Sequence, residues 1–255
     1  MLFNDNNLIL FFLSLLTGFF YILYVYMKSP YRSISIKNSL YYLGFGTLSI
    51  TILIYFFKIF PGWNNYIEYG LISTVLFKAF IQVALLEETC KYISFSIVDN
   101  FRSKLVEDHP VGIMFYAAMP SMIFAMLENF DYAINSSEEF ATRTLAIRAI
   151  SSTVLHLVAG LLLGYWIALY RVKKHPKFSR NKWDMFITKH TWIRKLSYTF
   201  MGIISATIIH GLYDYVLFIE YEYSDITIIT ILLTGLILAY IGNIDLIKNY
   251  KLKKP

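Results

Sequence analysis

The sequence is poor in cysteine and in charged residues. Its single cysteine among 255 residues, Cys90, excludes an intramolecular disulfide. Only 16% of the residues are charged, whereas 57% are hydrophobic and the mean hydropathy is +0.53. A chain this apolar is not an ordinary soluble domain, and the composition predicts a polytopic membrane protein.

The net charge of +6 does not indicate a nucleic-acid partner. The basic residues lie between apolar segments, and many of them fall in residues 171–196. This distribution is typical of loops on the cytoplasmic side of a membrane. We therefore expect no nucleic-acid partner, the lipid bilayer as the surroundings, and a basic cytoplasmic loop over 171–196.

Seven apolar segments are long enough to cross a hydrocarbon core of about 30 Å, which takes roughly 20 helical residues. Helices satisfy their own backbone in lipid, and these segments lack the alternation of barrel strands. The prediction is an all-α bundle of about seven transmembrane helices that forms one domain, residues 1–255, with its motif-bearing core in 75–219. The segments lie near residues 8–26, 38–60, 75–99, 110–133, 146–170, 197–219 and 226–247.

The residues that precede the third segment and form its first part have two structural interpretations. The stretch from Trp63 to Gln82 carries Glu68 and Lys78 among apolar residues. It is either an amphipathic helix in the membrane interface, which we favour, or the first part of one long tilted helix.

Loop charges predict the orientation in the cell membrane. Lysine and arginine are frequent in the first, third and fifth loops and in the C-terminal tail, but scarce in the second and sixth loops. Because positively charged loops stay in the cytoplasm, the N-terminus is predicted outside and the C-terminus in the cytoplasm.

Ionisable residues occur inside the predicted helices. A charge at the bilayer centre costs about 2.5–3.5 kcal/mol on insertion scales. Such residues therefore usually face the interior of the helix bundle and take part in the function of the protein. Four consecutive segments carry them. They are Glu87, Glu88 and Lys91, then Glu128 beside Asn129, then Arg148 and His156, and finally His210 and Asp214.

The spacing of the first group allows Lys91 to reach either glutamate, because Glu87 is four residues and Glu88 three residues before it. A purely structural ion pair is an equal alternative for Lys91. One lysine can fully neutralise one carboxylate, however, so the second glutamate must be protonated, bind a cation or face water. A carboxylate of that kind suits a general base.

Two chemistries of peptide hydrolysis remain open. A glutamate could activate water while a histidine or Asn129 stabilises the oxyanion. Alternatively His156, His210 and a glutamate, with Glu128 the tentative choice, could hold zinc. Asp214 lies one turn after His210 and could orient its ring. The HExxH signature of many zinc proteases and the GxSxG elbow are both absent.

Three motifs carry a family resemblance. Residues 87–91 read EExxK, residues 124–129 read FxxxEN, and residues 210–214 read HxxxD. In this order the motifs resemble the PrsW family of intramembrane proteases. The resemblance implies cleavage of a single-span membrane protein, such as an anti-sigma factor, near the outer leaflet.

The same resemblance implies roles for these residues. Glu87 or Glu88 would activate water, and His156 and His210 would be metal ligands or oxyanion donors. Glu128 would be a ligand or second acid. The orienting partners would be Lys91, Asn129, Arg148 and Asp214.

More distantly, the motifs are similar to those of CAAX prenyl proteases and bacteriocin-processing enzymes. The chain departs from that wider pattern, because it has Lys91 where arginine is usual and Glu128–Asn129 in place of a histidine. Prenylated substrates are therefore disfavoured.

The main rival class is a proton- or cation-coupled transporter, since intramembrane glutamates and histidines also build proton relays. Transporters often have repeated halves with matching broken helices. No such repeat is visible in the sequence.

Overall fold

A computed structural model describes residues 5–28, 34–64, 71–102, 109–173, 191–219 and 223–251. Within these ranges the regular secondary structure is entirely helical, which confirms the predicted fold class. The helices are α1 (Asp5–Lys28), α2 (Ile36–Ile59), α3 (Leu71–Phe77), α4 (Leu86–Arg102), α5 (Pro110–Asn135), α6 (Glu138–Ile150), α7 (Ser152–Lys173), α8 (Thr191–Phe218) and α9 (Ser224–Lys251). A 3₁₀ turn forms at Pro61–Asn64, and a π-helix at Lys78–Leu85 joins α3 to α4.

Six stretches of the described residues are long and apolar enough to cross a membrane. They correspond to six of the seven predicted segments, the exception being the third. That segment is nevertheless helical without a break from Leu71 to Arg102, through α3, the π-helix and α4. From Leu71 onward the structure therefore follows the interpretation of one long helix, which the sequence left as the alternative; Glu68 lies outside the described residues.

The fifth predicted segment, 146–170, is divided in the structure. Residues Glu138–Val172 form one candidate span, but the helix is interrupted at Ser151. Arg148 consequently lies at the end of α6, and the expectation that it shares a helix with His156 is wrong. A side-chain hydrogen bond bridges the junction, because Nη2 of Arg148 donates to Oγ of Ser152 at 2.9 Å.

Helices α5 and α7 form the buried centre of the bundle, whereas α1 and α2 are largely exposed along their length. Two glycines of α7 allow the close contact with α5. A Cβ atom at Gly160 would lie 2.7 Å from Cα of Ala118, and one at Gly164 would lie 2.8 Å from Cα of Met114. This contact brings His156 on α7 against Phe124 of α5, with 5.6 Å between the ring centroids.

The π-helix immediately precedes the glutamate pair. Its wider turns change the direction in which the following residues point, and π-turns are frequent at functional sites. Gln82 and Trp63 hold this stretch through two hydrogen bonds: the Trp63 indole donates to the backbone oxygen of Gln82 at 3.3 Å, and the Gln82 amide donates to the backbone oxygen of Trp63. The start of α4 is therefore tied to the turn after α2.

Candidate active site

The nine predicted site residues meet in the interior of the bundle. Each of them contacts at least one other member of the set, although they come from five helices. Helix α4 contributes the EExxK motif, α5 the FxxxEN motif and α8 the HxxxD motif. Arg148 comes from α6 and His156 from α7.

Lys91 is the centre of this group, and its side chain is fully buried. Nζ lies 2.7 Å from Oε1 of Glu88, 2.9 Å from Nδ1 of His156 and 3.3 Å from Oε2 of Glu87. An ammonium group has three N–H donors and no acceptor, so these contacts use all three. The group also lies 4.3 Å from the centre of the Phe124 ring. Lys91 thus joins the two glutamates to α7.

The contact with Lys91 fixes the tautomer of His156. Because the ammonium can only donate, Nδ1 of His156 accepts, and the ring proton is on Nε2. Nε2 then donates to Oε2 of Glu128 at 2.8 Å. Both nitrogens of His156 are therefore occupied by named partners.

His210 is oriented chiefly by Glu88. Nδ1 of His210 lies 2.8 Å from Oε1 of Glu88. Nε2 lies 3.4 Å from Oδ2 of Asp214 and 3.9 Å from Oε2 of Glu87. The predicted contact with Asp214 is present, but the shorter bond to the ring comes from Glu88 of another helix. When Nδ1 donates to this carboxylate, Nε2 carries the lone pair, and its nearest neighbours in the site are Asp214 and Glu87.

Two buried carboxylate oxygens at the site, Oε2 of Glu88 and Oδ2 of Asp214, have no hydrogen-bond partner among the described residues. A buried anion oxygen without a donor is costly, so such atoms usually serve a ligand, a water molecule or chemistry. Both oxygens belong to carboxylates that contact His210, so each is available to a ligand beside that ring.

Arg148 holds Glu128 from the opposite side. Its Nη2 lies 2.9 Å from Oε2 of Glu128, and its Nε donates to Oδ1 of Asn129 at 2.8 Å. The guanidinium carbon lies 3.8 Å from the centre of the Tyr132 ring. Arg148 therefore balances the charge of Glu128, which Lys91 does not contact.

The donor set fits a metal ion. Glu87, His156 and His210 each offer one ligand atom, all buried, and these atoms lie within 4.8 Å of one another. Two imidazoles and one glutamate are a ligand set of catalytic zinc, although tetrahedral coordination at about 2.0–2.2 Å needs a small contraction of the group. His156 would exchange one of its present partners for the metal.

This set differs from the tentative prediction in one ligand. The sequence suggested Glu128 beside the two histidines, whereas in the structure Glu87 is the carboxylate near both rings, and Glu128 lies on the far nitrogen of His156. A ligand role for Glu128 stays a prediction.

Sequence reasoning missed two hydroxyls next to the site. Nδ2 of Asn129 donates to Oγ1 of Thr153 at 2.9 Å and to Oγ1 of Thr17 at 3.1 Å. Thr17 is a single polar residue in the apolar run "LLTGFF" of α1, which was its available signal. Isolated threonines are common in membrane helices and carry no motif, so the sequence alone gave no reason to select it.

Comparison with known proteins identifies the class to which this protein belongs. The chain matches a family described as PrsW family intramembrane metalloprotease over residues 35–241, and the class is therefore that of membrane-embedded proteases. Since this match covers most of the chain, the protein belongs to the PrsW family. The predicted resemblance is confirmed, as is the assignment to the hydrolases.

Three curated relatives agree with this result, and each is called Protease PrsW. The protein of Clostridioides difficile (strain 630) is 25% identical over 194 residues, which cover 76% of this chain and 68% of the relative. That of Oceanobacillus iheyensis is 27% identical over 157 residues, 60% of this chain and 62% of the relative. The protein of Bacillus subtilis (strain 168) is 26% identical over 141 residues, which cover 55% of this chain and 54% of the relative. No solved structure matches the chain significantly.

Proposed function

We propose that the protein is a zinc-dependent endopeptidase in which Glu88 is the general base. The observation that carries this proposal is the convergence of Glu87, His156 and His210 beside Glu88, whose Oε2 is buried and lacks a partner among the described residues. A ligand group and a free carboxylate oxygen next to each other are what metal-assisted hydrolysis requires.

Glu87, His156 and His210 would hold the zinc ion. When bound, the ion supplies Lewis-acid polarisation of the scissile carbonyl. The family description as metalloproteases and the chemistry of the donor set both support this choice over the metal-free alternative.

Hydrogen bonds from the remaining site residues would orient Glu88 and the histidines for catalysis. Glu88 accepts bonds from Lys91 and His210 on Oε1, which leaves Oε2 to take a proton from water and return it to the leaving amine. Lys91 compensates part of the charge of the two adjacent glutamates. Glu128 accepts from Nε2 of His156 and so holds that ring in place.

We propose a single-span membrane protein, such as an anti-sigma factor, as the substrate, cut near the outer leaflet. Glu128 lies towards the C-terminal end of α5, and His210 lies towards that of α8. Both ends are predicted outside by the loop charges. A site in this position would reach the outer end of a substrate helix.

The test is cleavage by purified protein reconstituted in liposomes with single-span anti-sigma factors that carry a tag at each end. Glu88→Gln keeps the shape of the side chain but removes the base, so we expect at least a 100-fold loss of cleavage. Glu139→Gln is the matched control, because Glu139 is exposed on α6 and outside the site; it should cleave like the wild type.

Equal cleavage by Glu88→Gln and the wild type would overturn the role of Glu88. A wild type that leaves every tested single-span protein intact but moves protons across the liposome membrane would overturn the protease proposal in favour of the transporter.

A further inference from the structure

Helix α1 contributes one hydroxyl group, that of Thr17, to the edge of the site. Oγ1 of Thr17 accepts a hydrogen bond from Nδ2 of Asn129 at 3.1 Å, across 112 positions of sequence. Residue 17 lies before residue 35, where the family match begins. The family match therefore does not cover Thr17 or this contact.

The direction of each hydrogen bond around Asn129 follows from proton counting. The hydroxyl of Thr17 donates its one proton to the backbone oxygen of Ser14 at 2.7 Å. The hydroxyl of Thr153 donates its proton to the backbone oxygen of Arg148 at 3.0 Å. Each hydroxyl has a single proton, so both must accept from the amide of Asn129.

The two threonines consequently fix which way the Asn129 amide faces. Its two N–H groups point at Thr17 and Thr153, and Oδ1 is left to accept from Nε of Arg148 at 2.8 Å. The reversed amide would place an N–H against the guanidinium, donor against donor. Asn129 is completely buried, so water cannot easily repair such a mismatch.

Arg148 connects Asn129 to the pair formed by Glu128 and His156. Its Nη2 lies 2.9 Å from Oε2 of Glu128, and the same oxygen accepts from Nε2 of His156 at 2.8 Å. We propose that Thr17 is a positioning residue for the Glu128–His156 pair, acting through Asn129 and Arg148. This inference rests on the proposed protease function, since its effect is on the rate of the chemical step.

The test compares three variants in the reconstituted cleavage assay. Thr17→Val has nearly the same shape but no acceptor, and Thr17→Ser restores the acceptor. Thr47→Val is the matched control, because Thr47 on α2 also donates to the backbone oxygen three residues earlier, at 2.8 Å, and is exposed away from the site. The values of kcat, KM and the thermal unfolding midpoint are measured for each.

We expect Thr17→Val to lower kcat roughly three- to tenfold, the effect of one hydrogen bond, with KM unchanged. Its unfolding midpoint should lie at most a few degrees below that of Thr47→Val, because one buried N–H loses its acceptor, so that the variant is fully folded at the assay temperature. Thr17→Ser should regain the wild-type kcat. A kcat of Thr17→Val equal to that of Thr47→Val would overturn the inference while leaving the protease function in place. A loss of kcat that follows a loss of stability, or that Thr17→Ser fails to restore, would assign Thr17 a structural role instead. A wild type without cleavage would remove the proposed function itself, and this inference with it.

Discussion

Nζ of Lys91 lies 2.9 Å from Nδ1 of His156, although 65 positions separate the two residues. The same ammonium group contacts both glutamates of its own helix. Lys91 therefore does more than make α4 insertable in a membrane, because it also binds the carboxylate pair to the histidine of α7. One residue then influences both the charge balance and the geometry of the site.

Replacing Lys91 by methionine should destabilise the protein strongly. The change keeps an unbranched apolar side chain of nearly the same length but leaves Glu87 and Glu88 buried without their cation. Loss of one partner from a buried ion pair typically costs about 3–5 kcal/mol. Unfolding by denaturant in mild detergent measures this, with exposed Lys195→Met as the control. Equal unfolding midpoints for the two variants would refute this account of Lys91.

Metal content provides a second prediction, independent of any substrate. Purified wild type should contain close to one zinc per chain by elemental analysis, and His156→Ala/His210→Ala should lose it, because a single remaining carboxylate is a poor zinc site. Glu88→Gln should retain the metal, since Glu88 is assigned as the base. Zinc that stays bound in the double histidine variant would place the metal elsewhere.

The close packing of α5 and α7 makes Gly160 sensitive to a single methyl group. In Gly160→Ala the new Cβ would lie 2.7 Å from Cα of Ala118, so we expect a loss of about 1–3 kcal/mol in stability from overpacking. Gly44→Ala is the matched control, because a Cβ there meets nothing within 4 Å. It should be neutral or stabilising by up to about 1 kcal/mol, since alanine favours helix. The reverse order of the two stabilities would contradict the packing.

The predicted orientation can be checked by labelling of single added cysteines. The natural Cys90 is buried and free, so its background labelling should be low. Glu139→Cys, on the side predicted outside, should react in intact cells with a membrane-impermeant maleimide. Lys248→Cys, near the C-terminus, should react only after the cells are opened. The opposite pattern would reverse the topology.

Much of the site was visible in the sequence because its constraints are local. Intrahelical spacing alone indicates that Lys91 can reach Glu87 and Glu88, and that Asp214 can reach His210. The cost of burying charge in lipid then implies that residues of this kind face one another inside the bundle. The structure contains all of these contacts.

The break at Ser151 and the π-helix before Glu87 were not predictable in the same way. Both occur inside apolar stretches with no proline or glycine at the break to mark them. They depend on how neighbouring helices pack, which a one-dimensional pattern does not contain. As a result the sequence assigned Arg148 to the wrong helix while placing it in the right cluster.

The sequence by itself determined the class of protein and the family and indicated the candidate residues of the site, because hydropathy and motif spacing are properties of single helices. Only the tertiary structure decided which of these residues are neighbours. It brought Glu87 rather than Glu128 near both histidines, gave each nitrogen of His156 a partner, and added Thr17 from α1. The physical reason is that the rotation and depth of each helix are set by its packing against the other helices. The close approach of α7 to α5 at Gly160 is one example.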